Sequence, residues 1–107
     1  MVANTLPKTT AFEAQAAANL FLLNHLPDRF LATAPRFDTA AQVWRVPVVV
    51  AYPVIGPIGE VGEINVSATS EVIVLYTSLD EMMACARNLY DQHREAIEAA
   101  FLQTRNA

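Results

Sequence analysis

The 107-residue sequence predicts an α+β domain: a three-stranded antiparallel meander flanked by an N-terminal helix, broken near Pro27, and a long C-terminal helix, in the order α–(α)–β–β–β–α. Three features carry that prediction. Residues 43–76 are rich in β-branched side chains and alternate apolar with polar over segments separated by turn residues. A capping box, Thr10-Ala11-Phe12-Glu13, precedes this stretch, and a second, Ser78-Leu79-Asp80-Glu81, follows it. Each box opens a run whose apolar residues recur every three or four positions. The whole fits one domain over residues 1–107, with a flexible or extended lead-in over 1–9 and a frayed tail over 104–107.

The first helix starts at the Thr10 cap and continues through an alanine-rich run of high helix propensity. Phe12, Ala16, Leu20 and Leu23 make a stripe at helical spacing, the expected packing face, and Phe21 and Leu22 widen it toward a buried helix end. Pro27 cannot sit inside a straight helix and disfavours helix at Leu26, so a kink or break is expected there. Pro27 to Ala32 then restarts as a short second helix with the proline in its first turn, and Pro35 stops it.

In the first strand the even positions Trp44, Val46, Val48, Val50, Tyr52 and Val54 are apolar and form the expected core face. Pro47 and Pro53 share the other parity, so one lateral side of the strand lacks two N–H donors; this predicts an edge strand, paired through its other side only. Ile55 to Glu60 forms a turn-rich loop. Val61 to Ala68 alternates again as a half-buried antiparallel strand, with Gly62, Ile64, Val66 and Ala68 against Glu63, Asn65 and Ser67. Thr69-Ser70 is read as a tight turn; the alternative is a bulge in one long bent strand. Glu71 to Tyr76 is apolar on both faces and becomes the opposite, unprotected edge. With the helices on one sheet face, Val49, Ala51, Val61, Ile73 and Leu75 leave the other too apolar to be simply wet.

After the Ser78 cap, Leu79, Met82, Met83, Ala86, Leu89, Tyr90, His93, Ile97, Ala100 and Phe101 recur at helical spacing, which predicts one long amphipathic helix to about Gln103.

Composition narrows the function. A chain that is 53% hydrophobic and 17% charged is not disordered. Its net charge of −4 and lack of a Lys/Arg cluster argue against a nucleic-acid partner. Cys85 is the only cysteine, so no intrachain disulfide forms, and the amino terminus shows no basic stretch followed by an apolar run; both predict a cytoplasmic setting. Val46 to Ile58, the longest apolar run, is broken by prolines and a glycine, so no membrane partner is expected.

Residues that could carry chemistry are few. His25 and His93 are the only histidines, and neither has a second ligand at metal-binding spacing, so no metal or cofactor is expected. His25 is read as the cap of a helix end and His93 as the flank of a packing stripe. Cys85, beside Met82 and Leu89, is expected to be buried and inert. Asp91, Glu95 and Glu98, interleaved with Arg87 and Arg94, form a solvated face rather than a catalytic carboxylate pair. Gly56, Gly59 and Gly62 recur every third residue, but no Lys-Ser or Lys-Thr pair and no helix start follows them; turn geometry explains them better than phosphate binding. Ile55, Pro57 and Ile58 at the loop tip form either a partner contact or a tip folded back onto a helix. Asn24, His25, Asp28 and Arg29 cluster at the Pro27 break, by capping and solvation or as the lining of a small pocket.

One segment is similar to a known family. Trp44-x-Val46-x-Val48, a glycine-containing turn, Gly62-Glu63-Ile64-x-Val66-x-Ala68 and then Glu71-Val72 resemble the carboxy-terminal half of PepSY-type domains. The likeness covers residues 42–74, and Ser70 stands where that family usually has glycine. It implies a helix-on-hairpin module used for binding or inhibition and assigns no catalytic residue.

The expectation from sequence is therefore a small, non-catalytic cytoplasmic interaction protein. It would be homodimeric through its sheet, with Ile55, Pro57, Ile58, Ile73 and Leu75 as contacts, or else bind another protein. The alternative is a ligand-binding domain with a pocket between the sheet and the first helix, lined by Trp44, Tyr52, Phe30, His25 and Arg29.

Overall fold

A computed structural model describes residues 6–105. Its elements are α1 (Ala11–His25), β1 (Phe30–Ala32), β2 (Arg36–Asp38), β3 (Val43–Tyr52), β4 (Gly56–Ser67), β5 (Ile73–Tyr76), α2 (Leu79–Gln92) and α3 (Arg94–Arg105). The α+β class is as expected, but the sheet has five antiparallel strands, not three. β3 and β4 form its long central hairpin, β5 extends it beyond β4, and β1 and β2 both pair with the far side of β3.

The additional strands correct two expectations. Pro27 to Ala32 is not a second helix: α1 ends at His25, and the chain turns to place Phe30, Leu31 and Ala32 opposite Val50, Val49 and Val48. Three consecutive residues are enough for a strand when their partner is a long apolar one, and tertiary pairing overrides the weak helical signal. β3 is therefore not an edge. The missing donor of Pro47 falls in the gap between β1, which ends opposite Val48, and β2, which starts opposite Arg45. The Pro47 carbonyl still accepts from the backbone N–H and the hydroxyl of Thr33, at 2.9 and 3.1 Å. Pro53 lies just past the strand end. The prolines divide the flanking pairing into two short pieces rather than abolishing it.

Both helices that pack on the sheet lie over one face, where Val46, Val48, Val50, Ile64 and Val66 meet Ala14, Ala18, Leu22 and Met82 in a single core. The even parity of β3 is the buried one, as its pattern predicts. On β4 two register shifts alter the simple alternation. They leave Val61 without a partner opposite β3 and buried, whereas alternation alone would have put it on the open face. A further shift in the β4–β5 ladder sets Ile73 opposite buried Val66, which corrects its expected open-face position in the same way; Leu75 pairs with Asn65 and remains exposed. β4 also begins at Gly56, so most of the expected loop 55–60 is strand.

The same shifts explain the glycine spacing. A Cβ at Gly59 would come within 2.8 Å of the Leu89 methyls, and one at Gly62 within 2.8 Å of Thr77 Cβ and 2.9 Å of Met82 Cγ. Three strand residues span about 10 Å and seven helix residues about 10.5 Å, so the two glycines match Met82 and Leu89 along α2. They seat the helix. Gly56, with φ of +83°, serves the turn.

The cap of α1 forms as predicted: the Thr10 hydroxyl accepts from the Glu13 N–H, and the Glu13 carboxylate accepts from the Thr10 N–H. Ser78 caps α2, its hydroxyl accepting from the Glu81 N–H and donating to the Glu81 carboxylate, both at 3.1 Å. The long C-terminal helix divides at His93. There the backbone N–H bonds the Leu89 and Tyr90 carbonyls, and the ring Nδ1 bonds the Leu89 carbonyl at 2.9 Å. The bend sets the buried face of α3, Ile97 and Ala100, beside Tyr52 and Pro53 at the hairpin tip. α3 runs to Arg105, past the start of the expected frayed tail; residues 106–107, like 1–5 of the lead-in, lie outside the described residues. Thr9 is buried: its N–H donates to the Ala68 carbonyl, its carbonyl accepts from the Trp44 indole at 2.7 Å, and its hydroxyl accepts from the Glu71 N–H. The lead-in is thus tied down at its last residue.

Candidate functional site

α1 is apolar on both sides. The face turned to the sheet is Ala14, Ala18 and Leu22, flanked by Ala17, Phe21 and Leu26. The stripe Phe12, Ala16, Leu20 and Leu23, expected to pack on the core, is the solvent face, with Phe12 79% and Leu23 71% exposed. The reason is volume. The sheet's inner face already carries valine and isoleucine, so the helix approaches with its alanines.

The two sheet edges are treated differently. At β1, the Gln15 side chain donates to the Ala32 carbonyl at 3.0 Å and the Asn19 side chain accepts from the Ala32 N–H at 2.9 Å. Two amides of α1 thereby occupy the outward N–H and C=O of Ala32 on β1. At β5 no side chain or strand among the described residues hydrogen-bonds the outer edge, and Val72, Val74, Leu75 and Tyr76 are all exposed. No proline or charge lies between Val72 and Tyr76.

A groove of about 430 Å³ separates α1 from β5, lined by Ala16, Ala17, Leu20, Phe21, Asn24 and His25 on one side and Glu71 and Ile73 on the other. Ring contacts hold it: Phe21 stacks on His25 with centroids 4.3 Å apart and meets Tyr76 at 4.7 Å. His25 Nδ1 bonds the Phe21 carbonyl at 2.8 Å, so this histidine closes the last turn of its own helix. Leu20 and Ala16 also line the next concavity, with Phe12, Leu23, Gln15 and Asn19, so apolar side chains continue from β5 over the top of α1 with polar residues along the flank.

A second groove, of about 360 Å³, lies between the 27–30 segment, the end of β3 and α2. Phe30, Val50, Met83 and Ala86 contribute its apolar surface, and Arg29, Arg87, Tyr52, Tyr90 and Asp91 its polar groups. Of the residues expected to share one pocket, Arg29, Phe30 and Tyr52 do meet here, but against α2 instead of α1. His25 belongs to the α1–β5 groove, and Trp44 packs beside Phe37 and Thr9 near the opposite end of β3. Ile55 and Pro57 sit at the hairpin end, half-buried and exposed, while Ile58 packs against the core; Ile73 and Leu75 lie on β5 and do not join them.

Among the described residues no cluster of three or more His, Cys, Asp or Glu is placed to hold a metal ion, and no helix is long and apolar enough to cross a membrane. Cys85 is exposed, not buried, because it lies off the Met82–Leu89 line that meets the glycines. Arg45 bridges Glu63 at 3.0 Å and Asp38 at 3.9 Å on the open sheet face, and Arg94 bonds Asp91 at 2.9 Å. The hydrogen bond to Glu63 raises the Arg45 pKa, as that to Asp91 raises the Arg94 pKa.

Comparison with protein-family models, curated proteins and solved structures returns no match. Trp44 sits on a strand that pairs with the next, opposite Val66, under packed helices; that is a property of this hairpin and assigns no family.

Proposed function

We propose that this protein is a non-catalytic interaction module that self-associates through the β5 edge and the adjoining side of α1. The observation that carries the reading is the asymmetry of the sheet. On one edge Gln15 and Asn19 hold the outward groups of Ala32 in β1, while the other edge is a bare apolar strand beside a largely apolar groove. An antiparallel pair of identical edge strands is self-complementary under a twofold axis, so a second copy of β5 satisfies this edge with the same groups it offers. The two α1 helices then flank the axis on the same face, and Ala16 and Ala17 permit close approach while Leu20 supplies area. The exposed thiol of Cys85, in a chain with no other cysteine, suits a reducing compartment such as the cytoplasm.

The test is a pair of substitutions at exposed positions, Leu20→Glu on α1 and Val74→Lys on β5. Each is expected to halve the solution mass and leave the far-UV circular dichroism unchanged. A mass unaffected by both substitutions contradicts the reading.

A further inference from the structure

The groove beside α2 lies apart from the α1–β5 surface and has a different chemistry. We infer that it binds a small organic carboxylate with an apolar body. Phe30, Val50, Met83 and Ala86 give an apolar lining that a hydrocarbon chain or ring fits. Two arginines, Arg29 and Arg87, also line it. Neither forms an ion pair among the described residues, whereas Arg45 and Arg94 both do. Arg29 is half-buried, with its guanidinium 4.7 Å above the ring of Tyr52 and 5.9 Å from that of Phe101. The closer contact, to Tyr52, restrains the guanidinium and leaves N–H donors free for a ligand. Asp91, the one carboxylate in the lining, is held at 2.9 Å by Arg94. A chain of net charge −4 thus lines an apolar groove with two cations that have no ion-pair partner among the described residues, which selects an anionic head on an apolar body.

Octanoate is the probe, followed by amide chemical-shift titration of the full chain, with octan-1-ol and octylamine as controls. Octanoate is expected to give saturable shifts at Arg29, Tyr52, Ala86 and Tyr90. The alcohol and the amine are expected to bind at least about tenfold more weakly, since they lack the charge-assisted pairing. Arg29→Gln and Arg87→Gln each raise the dissociation constant about fivefold or more on the same ground. Ala86→Phe fills the groove and abolishes the shifts. Trp44 emission stays constant, because Trp44 lies eight residue steps along β3 from Tyr52, about 26 Å. Equal affinity for octanol, shifts centred on α1 and β5, or no saturable shift overturns the inference. The three substitutions leave the solution mass unchanged, so this inference and the self-association reading fail separately.

Discussion

Val54, at the tip of the β3–β4 hairpin, has φ of +74°, and the Ile55 N–H bonds the Pro53 carbonyl across it at 2.8 Å. This is a γ-turn centred on a β-branched residue, a conformation that costs about 1–3 kcal/mol. The side chain is exposed and contributes little packing in return. Val54→Gly removes the strain at an entropic cost of about 0.5–1 kcal/mol, so a net gain of about 1 kcal/mol is expected, read as a higher urea midpoint with an unchanged slope. Cys85 gives a second single-residue prediction: being exposed, it takes up one equivalent of a maleimide in the native state, without denaturant. Neither feature was legible in the sequence. An extended pattern through Val54 carries no sign of the chain reversal at Pro53, and a cysteine one helical turn from Met82 and Leu89 has a spacing that alone does not separate a packing line from its flank. The capping residues Thr10 and Ser78, by contrast, act through local hydrogen bonds within three residues, and those are visible in one dimension.

At the scale of elements, what local pattern determines was recoverable and what pairing determines was not. The core parity of β3 follows from alternation alone. The short strands β1 and β2 exist only because β3 offers them an edge, and the open-face placement of Val61 and Ile73 fails because bulges shift the alternation by one. The stripe of α1 misleads for a related reason: with apolar residues on both sides of the helix, size does not mark the face that fits a filled sheet. The stripe expected to pack on the core is instead the exposed face of α1. The seating of α2 on β4 yields a graded prediction. Gly62→Ala meets Thr77 Cβ, which cannot retreat freely, and costs about 1–3 kcal/mol; Gly59→Ala meets only the methyl ends of Leu89 and costs under about 1 kcal/mol. Thermal unfolding of the two variants checks the order, and an equal loss at both positions contradicts the seating.

The whole molecule is elongated, 61 × 28 × 21 Å, with a radius of gyration of 16.2 Å against about 13 Å for a compact chain of 100 residues. An elongated domain keeps more surface per unit of core, and here part of that surface is the apolar band of α1 and β5. The proposed self-association would cover it without adding any element to the chain. The measurement that tests this most directly is the solution mass by light scattering on a sizing column, at a low and a high micromolar concentration. The account predicts twice the 11.7 kDa of the single chain at the higher concentration, with dissociation toward the single-chain mass on dilution if the pairing is weak. A mass of one chain at both concentrations contradicts it, and would leave the β5 edge and the α1 face open to a different protein.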